Sequence, residues 1–354
     1  MIWLTWRQFR VQFLVVASVI VAAALFFALT GPGLADDYRR LTTQFIQNLG
    51  FQRLNPLLYI IGQLMLYAAP PVIGAFWGAP LIARELETGT HRLVWSQSIG
   101  RLRWLAGKMA FTGLTAIAIT GLLSLAVTWW ANPIDKAINA GQDSNTYLPR
   151  MFPPVFSARG LVPVGYAAFA FALGVAVGLA VRRTVVALAV TLAAVILVQV
   201  VTPTLVRPHL LAPTDKYIVV TADNIRGFGL SGDGPNPRVV QIEVASGAVG
   251  AWKLSDTTVD KAGKKASLPS WVVDCAPRPP GSAADGGTVS TQGSVSAKAA
   301  ACYQRLADEG YRQHIKYFTA DKFWPLQWRE FGLFMLLALA LTGFSFWRIR
   351  RDLS

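Results

Sequence analysis

The chain holds no GxxxxGK run followed by Ser or Thr, so it carries no phosphate loop for a nucleotide of its own. HExxH, GxSxG and paired-cysteine zinc spacings are missing as well. Its three histidines, His91, His209 and His314, are scattered, and no acid–base constellation can be nominated. Two cysteines, Cys275 and Cys302, do not make a metal centre, so no metal is assigned. Charge is scarce, at 15% of residues, while hydrophobic residues reach 53%. That balance is too apolar for a soluble domain of 354 residues.

What is present is a succession of long apolar runs, roughly 11–30, 57–82, 109–130, 161–181, 184–206 and 331–347. A helix crosses a hydrocarbon layer in about 20 residues, and each run meets or nearly meets that length. The chain is therefore read as an all-α membrane protein with six transmembrane helices. The first run exceeds the usual apolar core of a cleaved signal peptide and no A-x-A site follows, so it is read as a true span.

The net charge of +14 is placed unevenly. With N and C termini inside, the inner side holds twelve basic residues: Arg7, Arg10, Arg84, Arg92, Arg101, Arg103, Lys108, Arg182, Arg183, Arg348, Arg350 and Arg351. Three acids join them: Glu85, Glu87 and Asp352. This bias follows the positive-inside rule. Because the basic residues flank spans and form no single patch, a nucleic-acid partner is not expected. The expected localisation is a bacterial cell membrane, crossed several times.

The interiors of the runs lack Asp, Glu, His, Lys and Arg, where ion-coupled transporters place their relays. Their polar residues are mild: Ser18, Gln63, Thr112, Thr115, Thr120, Ser124, Thr128, Thr191, Gln199, Thr342 and Ser345. Most are expected to bond between helices. If a solute moves uphill, the energy enters from another chain.

Three domains follow. Residues 1–206 hold spans one to five, 207–325 form a small α+β extracytoplasmic domain, and 326–354 form the sixth span with a basic tail. Residues 1–10 are amphipathic, with Trp3 and Trp6 against Arg7 and Arg10, and suit an interfacial helix. Pro70 and Pro71 predict a kink or break in the second span. Arg182-Arg183-Thr184 predicts a tight hairpin, and Gly174 with Gly178 permits close helix packing. In the insert, strand-like runs occur at 217–221, 239–244 and 271–273, with a helix over about 296–316 bearing Cys302, Leu306 and Ile315 on one face. Outside the cytoplasm a Cys275–Cys302 disulfide is chemically allowed. It would close a loop of about 26 residues and contribute roughly 3 kcal/mol; two free thiols are the alternative.

The most specific stretch is the inner loop 83–103. Thr88 or Thr90 can cap a short helix through Val94–Gln97, and Ser98 can cap the helix entering the third span. Arg84-Glu85-Leu86-Glu87-Thr88-Gly89-Thr90, then Leu93, Ser96, Ser98, Arg101, Trp104 and Lys108, resembles the ABC-2 type permease family, the membrane subunits of ABC exporters. The run Phe323-Trp324-Pro325-Leu326-Gln327-Trp328-Arg329-Glu330 is similar to actinobacterial members. The resemblance implies a dimer of permeases, each copy or paralogue docking one of two separate ATPase subunits that hold ATP and Mg. It makes the loop a coupling helix. Leu93, Val94 and Trp95 would enter the ATPase, with Glu85, Glu87, Gly89, Thr90, Arg92, Ser98 and Arg101 around them. Two other readings compete: a membrane-anchored sensor or accessory protein whose outer domain binds a ligand or an extracytoplasmic protein, and an intramembrane enzyme acting on lipid. For the latter, Arg329-Glu330 is the one pair of note, and adjacent side chains on a helix diverge.

Overall fold

The computed structural model describes residues 2–51, 54–89, 100–142, 146–231, 238–245, 248–275 and 297–351. The chain divides into two compact units, one of Met1–Ala212 with Ala320–Ser354, the other Pro213–Thr319.

The first unit is helical, and six of its helical segments are long and apolar enough to cross a membrane. Helix α1 (Ile2–Leu41) forms the first, followed by a 3₁₀ turn at Thr42–Gln44 and the short α2 (Phe45–Phe51). The second is α3 (Leu54–Val72), a widened π turn (Ile73–Gly78) and α4 (Ala79–Glu87). The third is α5 (Arg101–Asn139); the short α6 (Pro153–Ser157) precedes α7 (Val162–Val181), the fourth. The fifth is α8 (Thr184–Val201), a π turn (Thr202–Val206) and α9 (Arg207–Leu210). In the second unit α10 covers Ala297–Asp308, and α11 (Phe323–Arg351) is the sixth span.

Helix α7 is apolar all round and buried along most of its length, as expected for a helix surrounded by others. It packs against α4, α5, α8 and α11. Small residues set the closest approach. A Cβ on Gly174 would lie 2.2 Å from the Gly74 carbonyl oxygen and 2.7 Å from the Ala79 nitrogen. One on Gly178 would lie 2.5 Å from the Ala79 oxygen, and one on Gly74 2.7 Å from the Ala170 oxygen. Gly174 and Gly178 thus serve contact within the chain, where backbones meet backbones.

The second span is not broken at Pro70 and Pro71. The helix runs through both to Val72 and then widens into the π turn. Pro71 has no N–H for the Tyr67 carbonyl four residues back. Gln199 on α8 supplies the missing donor, its Nε2 lying 3.1 Å from the Tyr67 oxygen. The fourth and fifth spans meet in a two-residue turn, with Arg182 left-handed at φ 58° and Arg183 extended.

Several expectations are corrected. Residues 2–10 are not a separate interfacial helix but the first turns of α1, since nothing between Arg10 and Thr30 breaks the helix. The side chains of Trp3, Trp6, Arg7 and Arg10 lie outside the described residues. The mild polar residues mostly bond within their own helix: the hydroxyls of Ser18, Thr112, Thr115, Thr120 and Ser345 donate to the carbonyl four residues earlier. Ser124, Thr128 and Gln199 do bridge elements; Ser124 donates to the Gly160 carbonyl at 2.6 Å, and Thr128 accepts from the Gly160 N–H at 3.1 Å.

The second unit starts at Pro213 and ends at Thr319, inside the expected 207–325, because the fifth span continues to Leu210 and the sixth begins at Phe323. It holds β1 (Thr214–Val219), β2 (Ile225–Ser231), β3 (Arg238–Val244), β4 (Trp252–Val259) and β5 (Arg312–Phe318). An antiparallel sheet runs β1-β5-β4, and β2 pairs with β3. Trp271–Val273 is not a strand but part of a 3₁₀ segment (Ser270–Cys275) after Pro269. The helix expected to reach residue 316 stops at Asp308. Gly310, at φ 87°, takes the left-handed conformation that closes a helix, and the Tyr311 N–H reaches back to the Leu306 carbonyl. Ile315 consequently sits on β5, where it joins Leu306, Val272 and Ile242 in the core. Cys275 and Cys302 are joined in a disulfide, their Cα atoms 5.9 Å apart.

Candidate functional site at the junction of the second, third and fifth spans

The last turn of α4 lies beside the first turns of α5 and the α7–α8 turn. Ile82, Trp104, Leu105, Leu179 and Ile349 share one buried cluster there. On this apolar floor the last turn of α4 presents two carboxylates. Glu85 accepts from the Lys108 ammonium on α5, and Lys108 is 6% exposed. The same ammonium lies 5.0 Å from the Trp104 ring centroid, which adds a cation–π contact. Glu87 accepts from the Thr184 N–H at 2.9 Å. Thr184 opens α8, and the first N–H groups of a helix have no partner within it, so the carboxylate caps that helix from outside.

Thr88 closes the turn that precedes it. Its N–H and its hydroxyl both donate to the Arg84 carbonyl, at 3.1 and 2.8 Å, and close the last turn of α4. Gly89 follows at φ 72° with open space around it. The cap position of α5 belongs to Gly100, and Arg101 opens the helix. Thr90, Arg92, Leu93, Val94, Trp95 and Ser98 lie outside the described residues.

At the opposite ends of these helices the chain buries two ion pairs that sequence reading missed. Arg207 and Glu330 are each 0% exposed. Arg207 Nε and Nη2 donate to the two Glu330 carboxylate oxygens at 2.7 and 3.0 Å. The guanidinium also donates to the Ser157 hydroxyl at 2.6 Å and the Pro153 carbonyl at 3.1 Å, and it lies over the Phe156 ring. Tyr166 donates to Glu330 at 3.2 Å. Four elements, α6, α7, α9 and α11, are thereby tied at one point. Arg159 faces Asp135 at 4.0 Å, also buried, with its guanidinium over Tyr59.

A signal for Glu330 was present. Phe323, Leu326, Gln327, Glu330, Phe334 and Ala338 recur at helical spacing and are all buried. Gln327 on this stripe caps α7, its Oε1 accepting from the Leu161 and Val162 N–H groups at 2.9 and 3.0 Å. Arg329 diverges from the stripe and donates to the Leu210 carbonyl. The partner of Glu330, 123 positions away, is not legible from spacing.

In the second unit Asp256 is held against Lys253 at 3.0 Å with its side chain 1% exposed, and its Oδ1 has no hydrogen-bond partner among the described residues. Burial pushes its carboxyl above the usual carboxylate range, against the pull of Lys253. A raised native value adds stability at low pH that is lost as pH rises through it. Asp256→Asn is therefore expected to strengthen hydrogen-exchange protection of β4 and β5 at neutral pH, by up to about 1–3 kcal/mol for an uncompensated buried group. The advantage should vanish as pH falls through the native carboxyl's range. Equal protection of both proteins at neutral pH would refute this.

Comparison with known proteins gives one family. The ABC-2 membrane transporter related family matches residues 15–207, which takes in spans one to five with the 83–103 loop. No curated protein matches the chain, and neither does any solved structure. The match spans more than half of the sequence, and the chain belongs to the ABC-2 membrane transporter related family, as an ABC-2 type permease.

Proposed function

We propose that the chain is the membrane-spanning subunit of an ATP-driven ABC-2 type exporter in the bacterial cell membrane. Two permease chains, identical or paralogous, form the translocation path. Each docks a separate ATPase through the 83–103 loop, and that ATPase holds ATP and Mg. Family membership over the spans and the loop carries this reading.

Two physical arguments support it. The sequence has no phosphate loop, so this chain does not supply the nucleotide site. Two of the buried charges are firmly held: Glu330 by a bidentate guanidinium and a tyrosine, and Lys108 by Glu85. A proton relay needs groups free to exchange, and these two are not, which favours a partner chain as the source of energy.

The positive-inside bias supports an orientation with both termini and the 83–103 loop in the cytoplasm. The 213–319 unit then lies outside, where a disulfide persists. This unit falls beyond the family match and favours a second role, capture of a ligand or an exported partner.

Deletion of residues 88–97 tests the reading. The shortened chain should insert and elute normally yet bind no ATPase. Retention of the ATPase by that variant would contradict the docking assignment. Orientation is checked with Lys261→Cys, since the native cysteines are bridged. An impermeant maleimide added to intact cells should label it.

A further inference from the structure

We propose that Glu87 is a positioning residue that carries displacement of the inner loop into the fifth span. This rests on the permease reading above. A docked partner acts on the chain beyond Thr88, and that segment hangs from the last turn of α4. Polar contacts of this turn reach two other helices. Glu85 to Lys108 ties α4 to the start of α5, so the two roots of the loop are fastened together. The contact from Glu87 to the Thr184 N–H reaches a different hairpin.

What lies beyond Thr184 is suited to move. Of the residues in the most apolar stretch of α8, 17% are buried in the chain, against 72% for α7. Gly174 and Gly178 hold α7 against α4 backbone to backbone, so the two move as one body. Between α7 and α8 stand only Arg182, left-handed, and Arg183, extended. A hinge is a short segment able to absorb a large dihedral change, and this turn has that form. Glu87 thus grips a helix that the rest of the chain covers little, just past a two-residue turn. The Glu87–Thr184 contact is exposed, so it can be made and released without unpacking the core.

The test uses the full chain in lipid with its copurifying ATPase. Spin labels go on Arg84→Cys with Val185→Cys, and in a second sample on Val185→Cys with Leu336→Cys. Distances are read with and without ATP plus vanadate. In the otherwise native chain ATP should shift the 185–336 distance and leave 84–185 unchanged. Glu87→Ala should abolish the first shift and create the second. Thr184→Pro should do the same, because proline at a first helical position removes the N–H and keeps the helix. Arg183 is already extended, as a residue before proline must be. Glu87→Gln keeps an acceptor and should retain the native response. The double variant Glu87→Ala with Thr184→Pro should be no worse than either alone, since both delete one bond.

A native response in both Glu87→Ala and Thr184→Pro, with ATPase still bound, overturns the proposal and leaves the permease reading intact. A native chain that binds no ATPase and shows no shift overturns both. If Glu87→Ala fails to fold, Thr184→Pro and Glu87→Gln decide the matter.

Discussion

Arg207→Ala should be the most damaging single substitution in the first unit, lowering stability by about 3–5 kcal/mol. The change strands the Glu330 carboxylate, 0% exposed, without its guanidinium. It also leaves the Ser157 hydroxyl and the Pro153 carbonyl without their donor from Arg207. Desolvation makes an uncompensated buried charge far costlier than the net worth of the pair. The double variant Arg207→Met with Glu330→Gln should therefore be more stable than Arg207→Ala alone, despite carrying two changes. The check is the midpoint of denaturation in detergent for the native chain, the single and the double. A double variant less stable than the single would show that the bidentate pair contributes more than it costs to bury.

Gly174→Ala should be nearly as severe, by overpacking instead of charge. One methyl group would meet backbone atoms of Gly74 and Ala79, neither of which can rotate away. Overfilling a packed core costs about 1–3 kcal/mol, and more where backbone must shift. Gly332→Ala on α11 is the matched control, because its added Cβ would meet nothing within 4 Å. In a helix that control should be neutral or stabilise by up to about 1 kcal/mol. Equal midpoints for the two variants would show that α4 and α7 are not held backbone to backbone.

The membrane segments were legible because hydropathy over about 20 residues is a local property. Their ends were not. The fifth span runs past Val206 through Thr202–Val206 and Arg207–Leu210, since Arg207 finds its counter-charge on α11 and can be buried. Pro70-Pro71 promised a break, but the donor from Gln199 sits on another helix and no local pattern announces it.

In the second unit, β3 (Arg238–Val244) was visible as an apolar run, whereas β2 reads as a loop because Gly227 and Gly229 interrupt it. Strand β5 was mistaken for helix although Ile315 lies nine residues from Leu306, about half a turn out of phase with it on a helix. Gly310, which ends the helix, was the better guide.

The candidate site was legible in its residues and not in their partners. Glu85 and Glu87 stood out as acids in a basic loop. That they bind Lys108 and Thr184 follows from tertiary packing, which brings positions 23 and 97 residues away into contact. Thr88 was read only as a candidate start of a helix, and its hydroxyl also closes the end of α4, since a threonine hydroxyl can serve either terminus.

The central claim is that this permease works with a separate ATPase. The most direct measurement is purification of the tagged native chain in mild detergent, with identification and counting of what elutes with it. The account predicts a soluble ATPase in equal number, hydrolysing ATP. A chain that elutes with no ATPase would contradict it and leave the 213–319 unit as the place to look for function.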